Sequence, residues 1–162
     1  MSEELGQAIS SFLNSFLNSP LEDLEVEYTR LFINSYPSLP CPPYESVYRT
    51  EEGLVMDEKV ISSLMEIYEL AGLRIDRSKV DLPEHAAAEL ELLSYLIERS
   101  LSGDTVMKSA AKRLIDEHLS LWLLDLGDCI EREARGKAYR ELGELLKILS
   151  NIMLSTREGG VL

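Results

Sequence analysis

A chain of 162 residues has the length of one domain and can bury a core without a disulfide or metal staple. With 45% hydrophobic and 28% charged residues, and only 15 Gly plus Pro, the composition is globular and excludes a disordered or fibrous protein. The 29 acids outnumber 16 bases for a formal net charge of -13. Residues 1–100 carry 19 acids and 7 bases, an acidic front half that repels phosphate, excludes nucleic acid as the expected partner and favours a basic one, although solubility alone also accounts for it.

The first predicted helix carries Leu5, Ile9, Phe12, Leu13 and Phe16 as one apolar stripe. Its start, MSEELGQAIS, is acidic where a signal peptide would be basic. Ser19 is the expected N-cap of a second helix, with Pro20 at its first position. Leu21, Leu24, Tyr28, Leu31 and Phe32 form its expected buried face. Asn34 to Gly53 then reads as a long loop holding Pro37, Pro40, Pro42 and Pro43 with Tyr36, Tyr44 and Tyr48. Such a loop is uncommon in a compact domain and is either a binding surface or a strap that buries its tyrosines.

A third helix starts at Asp57, points Val60, Leu64, Ile67, Tyr68 and Ala71 inward, and stops at Gly72. The connection Leu73–Leu82 is a possible hinge. Pro83 opens a long helix ending near Gly103, with Ala86, Leu90, Leu93 and Ile97 as its core stripe. On it Glu84, Glu91 and Glu98 recur every seven residues, which predicts one acidic line, either a solvated face or a rail for a partner's arginines. His85, Glu89 and Leu92 lie on the opposite flank. Asp104 caps the next helical stretch. Gly127 and Gly136 are its plausible breaks, and residues 157–162 read as a frayed tail. We expect an all-α, single-domain bundle of about six helices with one long Pro/Tyr-rich loop.

The chemistry motifs are missing. His85 and His118 are the only histidines, and no Glu-x-x-His, H-E-x-x-H, phosphate-binding glycine loop or nucleophile elbow occurs. We expect no catalytic residue, no metal and no cofactor, which argues against a hydrolase or a metal-dependent helical enzyme. His118, four residues before Trp122, reads as a packing partner of that ring. Cys41 and Cys129 form no C-x-x-C and are expected as free thiols. The longest apolar run, Leu121–Leu124, is far short of a membrane span, and a cytoplasmic protein without stable membrane insertion is expected.

Three blocks carry a resemblance. Tyr28, Leu31 and Phe32 precede a proline-rich loop ending in Pro43-Tyr44-Glu45-Ser46-Val47-Tyr48. Pro83-Glu84-His85 is followed by Glu89-Leu90-Glu91-Leu92-Leu93. His118-Leu119 and Trp122 are followed by Ala138-Tyr139-Arg140 and Leu142. In this order the blocks resemble the redox-enzyme maturation chaperones, the family of TorD, DmsD and NarJ proteins, across roughly Val26 to Leu154. The resemblance implies one all-helical chaperone domain over residues 1–162 with no turnover. It implies binding of the apo catalytic subunit of a molybdenum or tungsten oxidoreductase, of that subunit's twin-arginine signal peptide, or both, with export delayed until the pterin cofactor is inserted. It also implies a monomer or a domain-swapped homodimer. Some members associate with GTP, for which this chain has no phosphate-binding loop. Glu84 stands where the family has Asp, and Tyr44-Glu45 where one branch has Trp-Gly. The expected partner surface comprises Pro43, Tyr44, Glu45, Ser46, Tyr48, Glu84, His85, Glu89 and Glu91. The competing expectation is a general helical adaptor that binds another protein's helix and has no link to redox enzymes.

Overall fold

The computed structural model describes residues 2–51, 53, 55–75 and 82–159. Among them the chain forms eight α-helices and no strand. The two helices beyond the expected count arise from a short helix inside the Pro/Tyr-rich loop and from an extra break after residue 117. None of these helices is long and apolar enough to cross a membrane.

One compact unit is built from Met1–Pro43 and Leu123–Ile152. Helix α1 (Ser2–Asn18) is covered on one flank only: Leu5 and Phe12 are half-buried, whereas Ile9, Leu13 and Phe16 remain exposed. Ser19 does not cap helix α2 (Leu21–Tyr28). Pro20 takes that place, and the Ser19 hydroxyl turns back to donate to the Ser15 carbonyl at 2.7 Å. Leu24, Leu31 and Phe32 are buried as expected, but Leu21 and Tyr28 are not. A π-helical turn, Thr29–Ile33, follows α2 directly. Glu27 rather than Tyr28 takes the buried position, so Leu24, Glu27 and Leu31 still recur at helical spacing.

Helices α7 (Leu123–Glu133) and α8 (Lys137–Gly159) complete this unit up to Ile152 and are separated at Gly136, as predicted. The buried Glu27 stitches that break to α2. Its carboxylate accepts from the Arg135 amide at 2.6 Å and from the Arg30 guanidinium at 3.0 Å. Burial alone would raise its pKa, but these donors outweigh burial and hold it below the usual value. The Tyr139 hydroxyl donates to the Leu24 carbonyl at 3.0 Å. Gly127 is no helix break; it lies inside α7, where the backbone meets Gly143 of α8. A Cβ on Gly143 would stand 2.7 Å from both the Glu131 nitrogen and the Gly127 carbonyl oxygen. The expected free thiols are also corrected. Cys41 and Cys129, 88 residues apart, have Cα atoms at 5.8 Å and form a buried disulfide, because the loop after the π turn folds back on α7.

The second unit comprises Tyr44–Trp122 with Met153–Leu162. It contains α3 (Glu45–Arg49), α4 (Glu58–Leu70), α5 (Ala86–Leu101) and α6 (Thr105–Glu117). Asp57 caps α4 and Asp104 caps α6, each accepting from two backbone amides. Gly72 and Gly103 take the left-handed conformations that end α4 and α5. Helix α5 starts at Ala86 rather than Pro83, with His85 as its cap. Its buried side is Ala86, Ala88, Glu89, Leu92, Leu93 and Leu96, and Ile97 is exposed. The predicted acidic line therefore does not form: Glu84 precedes the helix and is fully buried, while Glu91 and Glu98 face solvent. After α6 the chain breaks at His118 and makes one 3-10 turn, Leu119–Leu121. Residues 76–81 of the expected hinge and 160–162 of the expected tail lie outside the described residues.

Candidate functional site

The second unit gathers most of the predicted site residues. Tyr44 and His85 form an isolated antiparallel bridge, and the Glu45 amide donates to the Glu84 carbonyl at 3.0 Å. The Tyr44 ring meets the His85 imidazole edge-on, with centroids 5.2 Å apart. Two segments forty residues apart in sequence are thus held side by side, with His85 Nδ1 accepting from the Ala87 amide to start α5.

Beneath this bridge lies a buried polar cluster. The Glu84 carboxylate accepts from the Ser46 amide at 2.9 Å, from the Ser46 hydroxyl and from the Met56 amide. The Ser46 oxygen in turn accepts from the Asp57 amide at 3.1 Å. Met56 has a φ of 69°, strained for a residue with a side chain, and its bond to Glu84 helps hold it there. One carboxylate therefore ties the start of α3 to the start of α4. Glu45 reaches the other way. It pairs with Arg49, whose guanidinium also donates to the Glu117 carbonyl at 2.8 Å, and it faces His118 Nδ1 at 2.8 Å. With Nδ1 donating to Glu45, His118 Nε2 accepts from the Ser63 hydroxyl at 2.9 Å. Glu89 accepts from the Trp122 indole at 3.3 Å, and the Tyr48 ring packs 5.6 Å from that of Trp122. Burial pushes the Glu89 carboxyl well above its usual range. The nearby charges of Glu45 and Glu84 add to the rise and the indole opposes it.

Exposure divides the predicted residues. Glu45, Ser46, Glu84 and Glu89 are 0% exposed, and Pro43 is buried. Tyr44, Tyr48 and His85 are partly exposed, and Glu91 is exposed. Two hollows open nearby. One, of about 410 Å³, is lined by Arg49, Lys59, Ser63, Glu117 and His118. The other, of about 240 Å³, has Tyr68, Glu91, Leu92 and Tyr95 in its walls. Sequence reasoning missed Arg49, Ser63 and the role of His118, which is 1% exposed and is joined to Glu45 rather than packed as a simple neighbour of Trp122. The available signal was a lone histidine just before the apolar run Leu121–Leu124.

Ser63, His118 and Glu45 stand in the order hydroxyl, imidazole, carboxylate. Ser63, however, sits in the middle of α4, where backbone amides are spent in helical bonds and cannot stabilise an oxyanion. Among the described residues no group of three or more His, Cys, Asp or Glu side chains could hold a metal ion. The arrangement is suited to fixing one loop geometry and presenting the Tyr44–His85 rim.

Fold and cluster together define an all-α protein that clamps a proline-rich loop onto a helix start through buried carboxylates. The chain belongs to the nitrate reductase delta subunit family, whose model matches residues 1–126, and with it to the TorD, DmsD and NarJ type of chaperone. It is similar to the chlorate reductase assembly chaperone protein of Ideonella dechloratans, 28% identical over 131 residues. It is also similar to the selenate reductase assembly chaperone protein of Thauera selenatis, 27% identical over 131 residues. In both cases the match covers 77% of this chain, and the chain spans 65% of the relative's length.

Proposed function

We propose that this chain is a cytoplasmic, non-catalytic assembly chaperone for a molybdenum or tungsten oxidoreductase. It acts as one domain, binds the apo catalytic subunit, its twin-arginine leader or both, and delays export until the cofactor is inserted. The observation that carries this reading is the family match together with two relatives named as assembly chaperones of oxidoreductases. The geometry supports a binding role: the partly exposed Tyr44, Tyr48 and His85, with the exposed Glu91, form the contacting rim. Glu45, Ser46, Glu84 and Glu89 act from below by holding that rim in one conformation, and Pro43, itself buried, leads the chain into it. The protein works as a monomer or as a domain-swapped homodimer.

Affinity capture of the tagged full chain from cells expressing molybdenum enzymes, followed by mass spectrometry, tests the reading. Enrichment of a molybdopterin-type catalytic subunit is expected. Recovery of some other protein and no such subunit would overturn it in favour of a general helical adaptor. For the rim, a leader peptide of the captured subunit should bind wild type, and both Glu91→Lys and replacement of the peptide's arginine pair by lysines should weaken it. Equal affinity in all three cases would move the site elsewhere.

A further inference from the structure

Helix α1 presents a second surface. Ile9, Leu13, Phe16 and Leu17 fall within an arc of about 100° on the helix. They are 40%, 47%, 39% and 78% exposed, and the apolar run continues at Leu21, 69% exposed. The spacing Gly6, Ile9, Leu13, Phe16 alternates three and four, which is the seam one helix offers another. Gly6 has nothing within 4 Å of its Cβ position, so no neighbour among the described residues occupies that end of the seam.

The charge pattern says what fits there. No charged residue occurs from Leu5 to Leu21, in a chain that is 28% charged. Both ends are acidic: Glu3 and Glu4 stand before the seam and Glu22, Asp23 and Glu25 after it. All five are exposed, and none is in an ion pair among the described residues. Arg135 and Lys137 line the hollow beside Glu22 and Asp23, but Lys137 is engaged by Glu141 at 3.4 Å. A second copy would set acids against acids at the ends whether the helices ran parallel or antiparallel. A helix with an apolar centre and basic ends would be matched along its whole length.

We propose that the α1 face, with the acidic residues at its two ends, docks an amphipathic helical segment of the client protein. That segment is about 25 Å long, with one apolar stripe and arginine or lysine at both ends. This partner assignment rests on the chaperone reading; the surface itself is distinct from the Tyr44–His85 rim. The apolar seam supplies area, and the carboxylates fix position and speed encounter. A face of this size with four or five anchors corresponds to a weak, reversible complex.

The test uses the full chain and a fluorescein-labelled 18-residue helical peptide with a leucine stripe and two arginines at each end. A second peptide carries glutamates at its ends. Anisotropy should show micromolar binding of the arginine-ended peptide, weakened several-fold by 0.5 M salt, and none of the glutamate-ended one. Leu17→Glu and Leu13→Glu should each lose at least ten-fold in affinity. Both add negative charge, so unspecific attraction of a cationic peptide would instead rise. Unchanged or tighter binding by these variants would overturn the proposal, as would equal binding of the two peptides. A wild-type dimer in sedimentation that becomes monomeric on Leu17→Glu would also overturn it, by showing that a second copy covers the face. Repeating the client capture with Leu17→Glu separates the two readings. Capture by wild type that is reduced in the variant supports both. Capture unchanged in the variant leaves the chaperone function standing and removes this surface from it. No client captured by wild type removes both the chaperone function and the client as partner of this face.

Discussion

Replacing Glu84 by alanine tests whether the site is built from beneath. The substitution leaves the Ser46 amide, the Ser46 hydroxyl and the Met56 amide without their acceptor. Met56 is 56% exposed, so water can serve its amide, but the two Ser46 groups are buried. A buried donor left unpaired costs about 1–3 kcal/mol, so the two together cost about 4 kcal/mol, far above the ±0.5 of an ordinary surface change. Glu84→Gln keeps one acceptor oxygen but turns an NH2 towards the other donors, and should cost about half as much. Trp122 is the only tryptophan, is fully buried in the same unit, and reports its unfolding by fluorescence. With a urea m-value of about 2 kcal/mol/M, the alanine variant should lower the midpoint by about 2 M without changing the slope. A loss below about 1 kcal/mol would refute the claim that this carboxylate clamps the loop.

Other substitutions probe the remaining contacts. Glu89 has its pKa raised by burial, so the folded state holds its proton where the unfolded chain has lost it. Wild-type stability should fall as pH rises above the ordinary carboxyl value of 4.5 towards the raised folded value, and Glu89→Gln should flatten that slope in urea titrations across pH 4–8. Gly143→Ala drives a methyl group into the Glu131 and Gly127 backbone and should cost more than about 2 kcal/mol in thermal melts, whereas Gly6→Ala, in open space on α1, should gain about 0.5–1 kcal/mol. Cys41→Ser opens a crosslink that closes 88 residues and should cost about 2–4 kcal/mol, with the denatured, unreduced wild type showing no free thiol to a thiol reagent.

The helices were legible because their signals are local. Asp57, Gly72, Gly103, Asp104 and Gly136 each mark an element end through the chemistry of one or two residues. What failed was register, which depends on tertiary partners. Glu27 takes the buried position expected of Tyr28, where the Arg135 amide meets its carboxylate from 108 residues away, and no local signal announces that partner. On α5 the inward flank is the one carrying Glu89, because an indole and two further carboxylates from other segments make a polar interior there. A periodicity argument assigns acids outward, so Glu84 and Glu89 were placed on a surface they do not occupy. The pairing of the Pro43–Tyr48 block with Pro83–His85 could be read from the resemblance alone, since forty residues separate the two and nothing local links them. The Cys41–Cys129 bond lay beyond sequence reasoning for the same reason.

The unit that carries α1 is stitched from two segments far apart in sequence, Met1–Pro43 and Leu123–Ile152. Its bonds between Glu27 and Arg135, between Tyr139 and Leu24, and between Cys41 and Cys129 all wait for residues that lie at least 88 positions downstream. During synthesis the Tyr44–Trp122 stretch emerges contiguous and can acquire its polar cluster early. Residues 1–43 are made before α7 and α8, the helices they pack with in this unit. The order of folding thus runs opposite to the order of the chain: the middle can settle while the segment made before it still waits for α7 and α8.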